Sequence, residues 1–597
     1  MLLLLRLFLT LFAVLLCASS FAQERPTEQR MAAEVTRLAD SYVAEFEVQF
    51  PERADLSGLS PSHHDALSDN SPAGLRRWQA FEDRLADELN KLDSRKLRGL
   101  SQWITFGYLK EVVESGRQIR VCRQDLWPVN QIFGWQVSFA QLAQVQPVES
   151  AEHRVEALHR WSKIPHYIEV EIQNLREGVR FGYTAPRHNV EIVLQQLDAL
   201  LGQPEEKWPF YVPAQTSQSD EFATAWKQLL AEQIRPAVEK YRAFLKNEYL
   251  PAARTNIALS ATPNGEKCYE AMFRQWTTIN RSPKETYDLG RQQVERNRAQ
   301  ALEIAKGMGI NHLETLRVRM ASDPADHFKS GDELLAFSRD AVTRARAGVG
   351  KWFNRLPHGD VRIEPFPAFA EVGAAGGILY PPGPGGNPPA TFRIPVSRVD
   401  ETPRSRAERT AFHETYPGHA LQLGLEAEMP QLHPIAQLAG TSAFREGWAR
   451  YAESLAEEMG LYRSKYATIS RRLWPSRGLV LDTGIHIFGW SRERAIAYIL
   501  DSANMGPQQA GALVDRIAIT PGQLTAYDTG ALEIFALREE ARQQLGPDFD
   551  IREFHDAVLQ NGSVTLPVLR EQVESWLASK KELKRTSSGV NKPHRKR

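Results

Sequence analysis

The chain has 597 residues, 42% hydrophobic and 24% charged, a composition that excludes disorder and marks a folded globular protein with room for more than one core. Lysine plus arginine equals aspartate plus glutamate at 73 each, so no global field marks a nucleic-acid binder or selects a substrate by bulk charge.

Residues 1–22 carry Arg6 in an apolar run to Leu16 and end in Ser20-Phe21-Ala22, with small residues at −3 and −1. That is the pattern of a cleaved secretory signal, with an uncleaved anchor as the alternative; Leu16 before Cys17 is a poor lipobox residue. No later stretch offers about 18 consecutive apolar residues, so a soluble periplasmic or secreted protein without stable membrane insertion is expected. Residues 23–250 are dense in helical periodicity, hold no chemical motif, and read as an N-terminal helical lobe. Pro, Thr, Asn, Ser and Gly accumulate over 251–265, the expected linker.

Residues 266–579 read as a second helical lobe. Ser282-Pro283-Lys284-Glu285 combines an N-cap, a proline at N1 and a glutamate at N3, and starts a helix running to about Gly309. Ser330 to Glu333 and Asp550 to Glu553 repeat that chemistry. Between Phe366 and Val396 proline and glycine dominate, and Ala390 to Ile394 reads as the one short strand. Its edge is placed either to hold an extended peptide by backbone hydrogen bonds or to serve as a structural hairpin. Residues 580–597 form a basic, polar tail expected to be disordered. After signal cleavage only Cys122 and Cys268 remain, for core packing or for one disulfide in an oxidising compartment.

The chemistry concentrates in His413-Glu414-Thr415-Tyr416-Pro417-Gly418-His419. It resembles a zinc-hydrolase HExxH helix with two residues inserted before the second histidine. Histidines at i and i+4 lie about 40° apart around a helix, whereas an i+6 pair lies about 240° apart. The backbone must therefore leave α geometry between them, and Pro417-Gly418 is the place to absorb the insertion. Downstream, Glu446 and Glu453 are seven apart and share a helix face, so one can complete a His₂Glu site and the other can orient an imidazole. The alternative puts Glu446 on a solvated face, paired with Arg450. Spacing alone does not say which glutamate takes which part.

HETYPGHALQ followed by EGWARYAE resembles the bacterial family known as domain of unknown function 885. The likeness extends to Gly265 with Cys268-Tyr269, Thr277-Thr278, Ser282-Pro283 to Gly290, DTGIH at 482–486, GW at 489–490, PGQ at 521–523, Tyr527 with Gly530, and FHDAVLQNG at 554–562. The resemblance implies a zinc metallopeptidase with a mainly α, two-lobed helical fold, a deep cleft and a small β element before the HExxPGH helix. It also implies that His413, His419 and Glu446 hold Zn²⁺, with Glu453 behind them. Asp528, Ile517 and Pro395 depart from the family's usual lysine, tyrosine and asparagine, which bears on substrate preference.

In this reading Glu414 is the general base, and Tyr527 and His486 are candidates for the second oxyanion donor, His486 being equally suited to a structural pair with Asp482. Arg516 is a candidate for a substrate carboxylate. The expected activity is hydrolysis of peptides. The alternatives are a zinc amidohydrolase acting on a non-peptide amide, and a non-catalytic peptide-binding protein with the same cleft.

Overall fold

Capping residues start the helices where the sequence places them. Ser282 accepts from the backbone of Glu285 while the Glu285 carboxylate accepts from the backbone of Ser282, and helix Pro283–Lys306 follows. Ser330 accepts from Glu333 to open Gly331–Gly348, and Asp550 accepts from Arg552 to open Ile551–Leu559. The computed structural model describes residues 28–590 apart from 60, 367–370, 372–375, 398, 431 and 503–504; the expected signal at 1–22 lies outside them. Among the described residues the chain is mainly α-helical, with one small sheet.

The expected lobe over 23–250 is not one body. Leu38, Trp78, Tyr108 and Val113 sit in the same core as Phe412, Trp448, Leu537 and Leu569 from the second half of the chain, whereas residues 129–253 build a core of their own around Trp161, Phe210, Trp226 and Tyr241. The first helices reach the far end of the chain: the Tyr108 hydroxyl donates to the Ser563 carbonyl at 2.8 Å and the Trp103 indole to Glu571 at 3.2 Å. Periodicity shows that a helix has an apolar face but not which partner covers it.

The segment 251–265 is packed rather than loose. Ala253, Ala258 and Leu259 are buried, and the Arg254 guanidinium donates to the carbonyls of Thr184, Asn256 and Ala258. Cys122 and Cys268 form a disulfide. At the other end, helix Leu566–Val590 continues through the first eleven residues assigned to a disordered tail; Lys580 pairs with Glu553 and Lys584 with Asp548, so side chains suited to a helix surface extend it.

Three strands form the sheet: β1 (Val361–Pro365), β2 (Ile378–Tyr380) and β3 (Ala390–Ile394), in the order β1-β3-β2. β1 runs parallel to β3 and β2 antiparallel to it, with Leu379 opposite Phe392. β3 was expected as the sole strand and as an edge; it is central, with β1 and β2 as the two edge strands of the described sheet.

Candidate metal centre

The insertion predicted between the two histidines is a break between two helices. Helix Arg404–Glu414 stops one residue after His413, and helix His419–Ala427 starts at the second histidine. Between them Thr415 leaves helical geometry at φ −114°, ψ −106°, the Tyr416-Pro417 bond is cis, and the Gly418 N–H donates to the Phe412 carbonyl at 3.1 Å. A Cβ on Gly418 would lie 1.9 Å from the His413 carbonyl oxygen, so only glycine fits. The Trp448 indole donates to the Pro417 carbonyl at 3.0 Å and fixes the turn against helix Ser442–Glu458.

That helix carries both glutamates. Nε2 of His413 and Nε2 of His419 each lie 3.5 Å from Glu446 Oε2, with the two rings perpendicular and their centroids 5.0 Å apart. These separations are long for hydrogen bonds, yet they match the roughly 3.3 Å between ligands of a tetrahedral ion at bond lengths of about 2.0–2.1 Å. The donor atoms lie within 4.8 Å of one another, and the donor set, two imidazoles and a carboxylate, fits zinc.

Two turns along the helix, Glu453 accepts from His413 Nδ1 at 2.9 Å and is held in turn by the Arg450 guanidinium at 2.8 and 3.0 Å, with Arg409 at 3.9 Å. A proton on Nδ1 leaves the Nε2 lone pair facing Glu446 and His419. Burial works against charge on the Glu453 carboxyl, but Arg450, His413 and Arg409 hold it below the usual carboxylate range. Burial likewise opposes charge on His413, and the carboxylates of Glu446 and Glu453 outweigh it, raising its pKa to about 9, so a metal bound at Nε2 would have to displace a proton there. Arg450 is thus the buried partner of Glu453, not a surface partner of Glu446. His419 has no such support, since its buried Nδ1 lacks a hydrogen-bond partner among the described residues.

Glu414 follows His413 directly, and its Oε2 accepts from the Leu379 N–H of β2 at 3.0 Å; burial raises its pKa. Helix Thr525–Leu545 brings the Tyr527 ring to 6.4 Å from the His413 ring, with planes 22° apart. This approach depends on two glycines: a Cβ on Gly447 would lie 2.5 Å from the Gly530 backbone, and one on Gly530 would lie 1.7 Å from the Ala443 carbonyl oxygen. Asp528 is buried 3.8 Å from Arg450.

Sequence reasoning named Arg450 only as a surface partner of Glu446, and it missed Arg409 and the Leu379 amide. It also offered His486 as an oxyanion donor, and its ring is committed elsewhere. Nδ1 of His486 accepts from the Leu259 N–H at 3.1 Å, Nε2 donates to the Ile517 carbonyl at 2.9 Å, and burial lowers its pKa to about 3. The pairing with Asp482 is absent too, because Asp482 Oδ1 accepts from the Tyr269 hydroxyl and the Gly522 N–H, each at 2.8 Å. Helix Arg477–His486 is buried on every side, so its polar side chains satisfy packed neighbours. Arg516 donates to Gln523 at 2.6 Å.

Glu446 also lines a cavity of about 840 Å³ bounded by the N-terminal helices, Trp276 and residues 437–446.

No curated protein matches the chain. Solved structures share its fold, among them two bacterial proteins. One is a candidate lipoprotein from Colwellia psychrerythraea, with a TM-score of 0.81 at 22% identity over 92% of this chain and 99% of that one. The other is a candidate lipoprotein of unknown function from Shewanella oneidensis, with a TM-score of 0.75 at 20% identity over 90% and 99%. A family model matches residues 51–573, nearly the whole described chain, and the protein therefore belongs to the bacterial proteins of unknown function designated DUF885.

Proposed function

We propose that the protein is a zinc-dependent peptidase of the periplasm or the extracellular space, with His413, His419 and Glu446 as the metal ligands. The observation that carries this is the pair of 3.5 Å separations by which both imidazoles face one carboxylate oxygen beside the glutamate of an HE sequence. Zinc bound there would supply a Lewis acid for the scissile carbonyl and lower the pKa of water toward about 7. Glu414 takes a proton from the attacking water and returns it to the leaving amine, with its carboxylate aimed by the Leu379 amide. Tyr527, a neutral phenol at ordinary pH, donates to the developing oxyanion. β2 offers its outer edge to an extended peptide, with Ile378 and Tyr380 exposed beside it.

Three features support the location. The leader has the form of a secretory signal, Cys122 and Cys268 are bridged as in oxidising compartments, and two proteins of the same fold are described as candidate lipoproteins. Among the described residues no helix is long and apolar enough to cross a membrane.

The test is metal analysis of the purified chain combined with product mass spectrometry on a mixed peptide library. One zinc per chain is expected, with cleavage that chelation abolishes and Glu414→Gln lowers by several orders of magnitude while metal is retained. Metal-free protein whose cleavage is indifferent to chelation overturns the reading, and full function in Glu414→Gln identifies a binding protein instead.

A further inference from the structure

The 840 Å³ cavity that ends at Glu446 has five carboxylates in its wall: Glu52, Glu82, Asp125, Glu171 and Glu446. Four are accounted for. Glu52 accepts from the Ser68 backbone and hydroxyl, Glu82 from Arg120 at 2.8 Å, Asp125 from Arg123 at 3.1 Å, and Glu446 faces the two histidines. Glu171 differs. Its Oε1 accepts from the Tyr241 hydroxyl at 2.9 Å, its Oε2 has no hydrogen-bond partner among the described residues, and it enters no ion pair among them although it is only 5% exposed.

A buried carboxylate with one neutral donor is costly unless something else compensates the charge. Burial raises the Glu171 pKa to about 7, with only the Tyr241 hydrogen bond opposing the rise. The cavity wall is partly aromatic. Tyr167 lies one helical turn earlier on helix Ile164–Phe181, where burial and then the Glu171 and Glu52 carboxylates push its hydroxyl up against the opposing charge of Arg53. Tyr42 and Trp78 line the same space, packed edge to face with centroids 5.3 Å apart. A carboxylate beside aromatic faces is the chemistry that takes an organic cation.

From this geometry we infer that Glu171 and Tyr167 form a subsite for a positively charged group of the substrate, so that the enzyme prefers peptides bearing a lysine or arginine side chain or a free N-terminal ammonium. The inference rests on the peptidase reading for the identity of the ligand as a peptide. The remaining cavity arginines do not fill the role, since Arg120, Arg123 and Arg445 bond to Glu82, Asp125 and Glu426, and Arg53 lies over the rings of Phe46 and Phe50.

The test measures binding rather than turnover, by calorimetry on full-length Glu414→Gln protein with three short peptides: acetylated with an internal lysine, acetylated with norleucine in its place, and the norleucine peptide with a free N-terminus. At least one cationic peptide is expected to bind tenfold or more tightly than the acetylated norleucine peptide, and the arm that does so identifies the source of the charge. Glu171→Gln, which keeps an acceptor for Tyr241, should bring that ratio close to one without weakening the neutral peptide. Tyr167→Leu, which leaves the carboxylate in place, should lower the ratio severalfold and covers the case in which Glu171→Gln does not fold. Equal binding of all three peptides, or a preference that survives both variants, overturns the subsite while leaving the peptidase reading intact. Failure of every peptide to bind removes both.

Discussion

Gly530→Ala sets two energies of opposite sign against each other. In a helix interior alanine is favoured over glycine by about 1 kcal/mol, so propensity alone predicts a more stable protein. Packing predicts the reverse: the new Cβ would sit 1.7 Å from the Ala443 carbonyl oxygen and 3.0 Å from the Gly447 Cα. Backbone occupies both positions, so no side chain can rotate away, and helices Ser442–Glu458 and Thr525–Leu545 must separate by more than about 1 Å. Overpacking of this kind costs about 1–3 kcal/mol or more, enough to outweigh the propensity gain. The same displacement carries Tyr527 away from Glu446 and His413, and a misplacement of about 1 Å in a catalytic group lowers rates by about 10²-fold. Urea unfolding of Gly530→Ala is compared with Gly348→Ala, at the end of helix Gly331–Gly348, where a Cβ meets its nearest atom at an ordinary 3.5 Å. A lower midpoint for Gly530→Ala and an unchanged or higher one for Gly348→Ala is the expected result. Stabilisation by Gly530→Ala would refute the close crossing and the positioning of Tyr527 built on it.

Gly418→Ala should displace His419 and abolish stoichiometric zinc binding, measured by titration against a chelator, because its Cβ would meet the His413 carbonyl oxygen at 1.9 Å; wild-type affinity would contradict the tight turn. Glu453→Gln leaves all three proposed ligands in place but weakens the hold on His413 Nδ1, so zinc affinity should fall about 10- to 100-fold. Asp482 carries a stability prediction: burial raises its pKa from 3.8 to about 7 against the bonds from Gly522 and Tyr269. The folded state therefore binds the extra proton between these values, and the stability this adds below about pH 4 is lost as pH rises through 7. Asp482→Asn should match the wild type at pH 4 and exceed it at pH 8 by a few kcal/mol, on the order of 1.4 per pKa unit; parallel pH profiles in chemical denaturation would show that the carboxylate is not buried unpaired.

The convergence of His413, His419 and Glu446 was legible because its constraint is local. The HE pair, the proline-glycine break and the seven-residue spacing of Glu446 and Glu453 each limit which side chains can converge. The choice between the two glutamates was not legible from spacing, since both share a helix face; it depends on their height along the axis relative to a turn held by Trp448. β2 escaped notice because three residues between glycine- and proline-rich stretches gain their pairing from β3, a partner that local pattern does not specify. His486 was misassigned because a histidine in a motif looks the same in sequence whether its nitrogens are free or bonded to distant backbone such as Leu259 and Ile517.

Residues from the first hundred or so positions bury their apolar faces against helices near position 570, and Tyr108 and Trp103 bond there directly. Order of synthesis and order of assembly therefore differ. The segment around 129–253 can collapse on its own core while translation continues, but the opening helices wait, apolar face uncovered, until almost the entire polypeptide has emerged. A fragment cut at residue 250 to isolate the second half would lose part of its own interior, and apolar surface left uncovered in this way makes an incomplete chain prone to aggregate.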